Sequence, residues 1–133
     1  MKKTKYFIYC FIFISFLAKA QKPLLQYIKN IGGVGSNIGD PFITIDNLGN
    51  IYTTGFFSGT LDFDPGTGTN NLTSIGSEDA FIMKSDSVGN FIWAKNFGGT
   101  GTTYSHGLTL DGSGNIYIIG TFSNTTDFDP NGG

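Results

Sequence analysis

A stretch of twenty residues occurs twice in this chain. Residues 46–65 read DNLGNIYTTGFFSGTLDFDP, and residues 111–130, sixty-five positions later, read DGSGNIYIIGTFSNTTDFDP. Thirteen of the twenty positions are identical, where unrelated segments would share about one. A repeat of this kind restricts the chain to architectures in which one supersecondary unit is copied and packed against its neighbours. It names no ligand and no reaction.

Within the repeat, the sequence Asp-x-x-Gly-Asn appears at residues 46–50, 86–90 and 111–115. An aspartate heading a turn can accept hydrogen bonds from backbone amides, and the glycine can take the left-handed conformation that a tight hairpin demands. Each copy therefore reads as a hairpin connection and not as one member of a catalytic series. Short apolar runs flank these turns, and from residue 24 to residue 96 no spacing of three and four argues for an amphipathic helix. The runs are residues 42–45 (matched by 107–110), 51–57 (matched by 116–122), 80–84 and 91–97. Four consecutive apolar residues, Ile116 to Ile119, predict an inner strand covered on both faces. Residues 25–33, LQYIKNIGG, match residues 91–99, FIWAKNFGG, so the chain begins with the last strand of a repeat. Between the second and third strands lies an insertion, residues 58–79, that carries DFDP.

The first twenty residues have a different character. Lys2, Lys3 and Lys5 precede an apolar run over residues 6–18, and Ala18-Lys19-Ala20 offers small residues where a signal peptidase reads. Thirteen apolar residues are short of the about 20 that span a bilayer, so we read a signal peptide cleaved before Gln21. Cys10 lacks the small residues that precede a lipid-modified cysteine. Cleavage removes four of the eight lysines and none of the ten acids, leaving a net charge of 4 − 10 = −6. Such a surface repels phosphate backbones and argues against nucleic acid as a partner. The only cysteine leaves as well, so no disulfide can support the exported part.

Four short antiparallel strands per repeat, apolar on both faces, are unstable alone and must stack on the next copy. A period of 65 suits a propeller blade of about 40 to 50 residues with a loop insertion. The fold class is accordingly all-β, built of four-stranded β-propeller blades. The blocks DAFIMKSDSVGN (79–90), FIWAKNFGG (91–99), GGTG (98–101) and DGSGNIYIIGTF (111–122) resemble the bacterial β-propeller repeat known as SBBP. The resemblance covers residues 24–133 and implies a multi-bladed extracellular propeller within a longer exported protein. Asp40, Pro41 and Phe42 depart from it, standing where the family has small residues. The expected division is a signal peptide over 1–20, an N-terminal strand completing another blade over 21–39, a first complete blade over 40–99 and a partial second blade over 100–133. Seven strands make about one and a half blades plus the N-terminal strand, whereas closure needs at least four blades. The reading is an N-terminal fragment of a longer array, with self-association of several copies as the alternative. An isolated mature chain is then expected to aggregate or remain partly unfolded.

The best candidates for chemistry are Asp62 and Asp64, with Gly66, in the first acidic loop, and Asp127 and Asp129 in the second. Two readings remain open for them. The carboxylates could offer oxygens to Ca²⁺, which takes six to eight oxygen ligands, or they could hold a plain turn in which Phe63 is buried and Pro65 keeps Asp64 extended. No other cofactor is implied. His106, the only histidine, aligns with Pro41 outside the repeat pattern and reads as a loop or strand-edge residue. The triplets at residues 71–73 and 124–126 spell a glycosylation acceptor but fall out of register between the repeats. No nucleophile elbow or P-loop occurs. The functional expectation is an exported, non-catalytic module for surface adhesion or for protein or glycan interaction. The alternatives are part of a secreted propeller enzyme acting on polysaccharide, or a structural spacer.

Overall fold

The computed structural model describes residues 28–32 and 37–129. Among these residues there is no helix, and nine strands form three antiparallel groups. The largest group joins β1 (Ile38–Ile45), β2 (Ile51–Phe57), β5 (Asp79–Ser85) and β6 (Phe91–Gly99), with β9 (Thr126–Asp127) added at the edge in the order β1-β2-β5-β6-β9. The other two groups are the hairpins β3 (Thr60–Asp62) with β4 (Asn71–Thr73), and β7 (Thr103–Leu110) with β8 (Ile116–Phe122). Four consecutive antiparallel strands followed by the first two of the next unit make one blade and part of a second, as the repeat requires.

Both faces of the four-stranded sheet are apolar, and each is covered by a different element. Pairing sets Gly55 opposite Phe81 and Thr53 opposite Met83, which places Phe57, Phe81, Met83 and Ala94 on one face. The β3–β4 hairpin lies over this face and adds Leu61 and Phe63 to form the buried core, with Ile31, Ile38, Leu72 and Phe91 packed around it. Phe63 stands 5.2 Å from Phe57 and 4.9 Å from Phe81, centroid to centroid. Rings at these separations gain beyond the area they bury. The opposite face carries Tyr52, Thr54, Phe56 and Ile82 and meets the β7–β8 hairpin. Phe56 packs edge-on against Tyr104 at 4.7 Å.

Several expectations need correction. The insertion, read as a loop over residues 58–79, contains the β3–β4 hairpin, because Leu61 and Leu72 pair directly and give it an apolar side to bury. The first strand of each unit starts about four residues earlier than expected. A bulge allows this: the register breaks between Gly39 and Phe42 in β1 and between Ser105 and Gly107 in β7. Asp40, in the β1 bulge, has φ 46°, a conformation that Asp tolerates better than most residues. Of the expected N-terminal strand, residues 28–32 lie outside any strand. The rest of that element, and the signal segment, lie outside the described residues. The inner strand β8 is not covered on both faces; Ile119 is 71% exposed and Phe122 58%. Its counterpart β2 is paired on both edges, with β1 and β5, whereas β8 is paired only with β7 among the described residues.

Phe63 is fully buried while the equivalent Phe128 is 58% exposed. Replacing Phe63 with alanine is expected to cost about 3–5 kcal/mol, and Phe128→Ala about 1 kcal/mol or less, read from urea unfolding of the two variants. Equal losses would contradict the packing described.

Candidate functional site

The three Asp-x-x-Gly-Asn turns share one geometry. In the first, Asp46 Oδ1 accepts the amides of Leu48 at 3.0 Å and Asn50 at 2.8 Å, while Asp46 Oδ2 accepts Asn50 Nδ2 at 2.8 Å. Asp86 repeats this with Val88 and Asn90 at 3.0, 2.8 and 2.8 Å. Asp111 does so with Ser113 and Asn115 at 2.9, 2.8 and 2.7 Å. Gly49, Gly89 and Gly114 have φ of 83°, 81° and 82°, so a side chain there would be strained. These bonds favour the ionised form. The Asn50 and Asn115 side chains hold Asp46 and Asp111 below the usual carboxylate range, and the Asn90 amide does the same for Asp86. Lys84 Nζ adds attraction at 3.8 Å from Asp46 Oδ2.

The first and third turns lie side by side on one rim. Between them runs a cleft of about 360 Å³, lined by Asp46, Asn47 and Leu48 on one wall and by Asp111, Gly112 and Ser113 on the other. Leu48 is 84% exposed.

The two acidic loops are not brought together into one site. Asp62 Oδ1 accepts the amides of Asp64 at 3.0 Å and Asn70 at 2.8 Å, and Asp64 Oδ1 accepts Gly66 N–H at 2.8 Å. In the second loop Asp127 Oδ1 accepts the Asp129 amide at 2.8 Å. A Cβ at Gly68 would stand 2.2 Å from Asp64 Oδ2, so the chain must be bare where it passes this carboxylate. Asn70 Oδ1 is buried without a hydrogen-bond partner beside the first loop. Two carboxylates and one carboxamide leave the rest of six to eight oxygens to backbone carbonyls or water. Among the described residues no group of three or more His, Cys, Asp or Glu side chains could hold a metal ion.

The second loop has a different task, which the sequence did not reveal. Thr126 and Asp127 of β9 pair with Gly99 and Gly98 of β6, the outer strand of the preceding unit, and Thr100 N–H donates to Thr125 O at 3.1 Å. The loop thus fastens one blade to the next. The GGTG block permits the approach: a Cβ on Gly99 would lie 1.8 Å from Thr125 O, and one on Gly101 2.4 Å from Ser123 O.

Deeper in the seam, the Thr54 hydroxyl is 2.5 Å from Phe81 O and 2.8 Å from Ser105 Oγ, and the Ser105 hydroxyl donates to Gly55 O at 2.9 Å. Tyr104 donates to Glu78 Oε2, which raises the phenol pKa. Asp79, also missed from the sequence, is fully buried. It accepts Asn96 Nδ2 at 2.8 Å and the amide of Ile75 at 3.1 Å. The signal for it was Gly98, where a Cβ would strike the Asp79 carboxylate. His106 sits exposed at the β7 bulge, with Nε2 2.9 Å from Thr121 Oγ1.

Residues 92–132 match the SBBP family, described as Beta-propeller repeat. Those residues carry a β-propeller repeat of the SBBP type. The match starts in β6 of one blade and ends beyond β9, so the SBBP unit spans the seam just described. An uncharacterized WD repeat-containing protein of Acanthamoeba polyphaga mimivirus is 28% identical over 115 residues, covering 76% of this chain. The aligned part spans 8% of that relative's length. No solved structure matches the chain.

Two outcomes follow for solution behaviour. The carboxyls of Asp46, Asp86 and Asp111 are depressed in the fold, so their contribution is present above the unfolded value of about 3.9 and lost as pH falls through the folded values. Stability is expected to be level between about pH 5 and 7 and to drop below about pH 4. Asp86→Asn should lower the plateau and shrink the acid drop, both read by urea titrations across pH. Melting in excess calcium and in chelator is expected to coincide. A rise of several degrees with calcium would instead make the acidic loops metal sites.

Proposed function

We propose that this chain is part of an exported, non-catalytic β-propeller that binds an extracellular protein or glycan through the rim built from its Asp-x-x-Gly-Asn turns. The observation that carries the reading is the cleft between the turns at residues 46–50 and 111–115, about 360 Å³ in volume and presenting Leu48 beside polar backbone and carboxylates. Mixed apolar and polar walls of this size suit a peptide side chain or a sugar ring. The cleft lies at a seam between repeats, so an array would present it again at each seam, and weak sites repeated on one face gain by avidity. The non-catalytic part is supported by the use made of the recurring acids. Asp46, Asp86 and Asp111 each hold their own turn, and Asp62, Asp64 and Asp127 each accept a backbone amide. Export is supported by the basic, apolar and small-residue order of the first twenty residues.

The test is a binding screen of glycans and matrix proteins with the protein secreted from its own reading frame, scored for turnover in parallel. Binding without turnover is expected, and Leu48→Asp should weaken it at least tenfold while leaving the circular dichroism spectrum unchanged. Cleavage of a polysaccharide would instead favour a propeller enzyme, and the absence of any ligand a spacer. N-terminal sequencing of the secreted form should begin at Gln21.

A further inference from the structure

The bulge in β1 holds a dipeptide that the second unit does not share. Asp40 and Pro41 stand where that unit has Ser105 and His106. Neither has a partner in the ladder, since Gly39 pairs with Phe56 and Phe42 with Thr54. Asp40 has φ 46°. Positive φ is uncommon outside glycine, and a residue that precedes proline is steered towards extended backbone with negative φ. The Asp40–Pro41 bond is therefore held against two local preferences. Packing shows what holds it: a Cβ on Gly55 would lie 2.7 Å from Gly39 O and 3.4 Å from Asp40 O, so the bulge crosses directly over β2 at its glycine.

The side chain adds a reactive group. Asp40 and Pro41 are both exposed, and the Asp40 carboxyl has no hydrogen-bond or ion-pair partner among the described residues. Asp64, which precedes Pro65, has a contrasting setting. Its Oδ1 accepts Gly66 N–H at 2.8 Å, and its own amide donates to Asp62 Oδ1 at 3.0 Å. It is not among the residues with positive φ. One Asp–Pro bond thus combines backbone strain with an untethered carboxyl, and the other has neither.

We propose that the Asp40–Pro41 bond is a self-cleavage site, cut by the Asp40 side chain with water as the only co-reactant. The carboxyl, in its acid form, adds through one oxygen to the carbonyl carbon of its own residue. The C–N bond to Pro41 breaks as a cyclic anhydride closes, and the carboxyl proton goes to the leaving proline nitrogen. One water then opens the anhydride, restoring the Asp40 side chain and leaving a new α-carboxyl. Proline has no amide N–H, so the competing ring closure through the following nitrogen is blocked. A nucleophile already joined to the bond it attacks has the advantage of an intramolecular reaction, and breaking this bond releases the strain in the bulge. The cut leaves Phe42–Ile45 paired with β2. The segment ending at Asp40 keeps only the pairing of Ile38 and Gly39 and the bond from Ser58 N–H to Asn37 O. The sheet therefore survives, and the segment before the cut can leave it.

The full chain, incubated at about pH 5 on its stability plateau and followed by intact-mass spectrometry, tests this. A product starting at Pro41, with its complement ending at Asp40, is expected to form at least tenfold faster than the product starting at Pro65. Tenfold in rate is about 1.4 kcal/mol, within the cost of holding a residue other than glycine in the left-handed region. Asp40→Asn keeps a side chain that tolerates positive φ and should abolish the Pro41 product. In denaturing urea the preference for Asp40 over Asp64 should disappear. No product starting at Pro41, equal rates at the two bonds in the folded chain, cleavage that survives Asp40→Asn, or a preference that persists in urea would each overturn the proposal. None of these outcomes depends on the rim cleft or on export.

Discussion

A small sheet that is apolar on both faces cannot remain in water on either, and this constraint governs the rest of the molecule. Burying each large side chain of the β1-β2-β5-β6 sheet contributes about 1.5–3 kcal/mol, but only if a cover is found. One cover is local: the β3–β4 hairpin folds back over Phe57, Phe81 and Met83 and inserts Phe63 between them. The other is the next unit, whose Ser105 and Tyr104 meet Thr54 and Phe56. The first unit is thus covered in part by its neighbour, and the second unit keeps Ile119 and Phe122 exposed.

The seam, more than the blade, is the repeating object. The SBBP match runs over residues 92–132, from the outer strand of one blade through the inner hairpin of the next and past β9. That span contains both sides of the junction, including the Gly-rich corner that lets β9 lie against β6. A unit phased in this way carries its own joint, so copies can be added with the packing surfaces already matched.

The sequence made the fold legible through features that act locally. The aspartate turns were readable because one side chain, one glycine and one asparagine are enough to close them, and the structure forms all three alike. The four-strand unit was readable from apolar runs between those turns. What could not be read depends on partners distant in sequence. Asp127 was chosen for its carboxylate, yet its backbone is what joins Gly98 of β6, 127 − 98 = 29 residues away, and nothing in DFDP announces that. Asp79 read as the last residue of the insertion and is a buried acceptor, because Asn96 and the amide of Ile75 are brought to it only by folding. The exposure of Ile116 and Ile119 was missed for a related reason: an apolar run records what a strand is built to touch, whether or not the partner is in the same chain.

The uniformity of the aspartate turns has one more consequence. Between the aspartate and the glycine the three copies carry Asn47-Leu48, Ser87-Val88 and Gly112-Ser113, residues of different size and polarity. The capping bonds nevertheless agree within about 0.1 Å. The loop's shape is therefore set by positions that point inward, and its tip is free to vary. An array of such units is a display frame: its exposed tips can be rewritten residue by residue, giving a new surface chemistry on an unchanged skeleton.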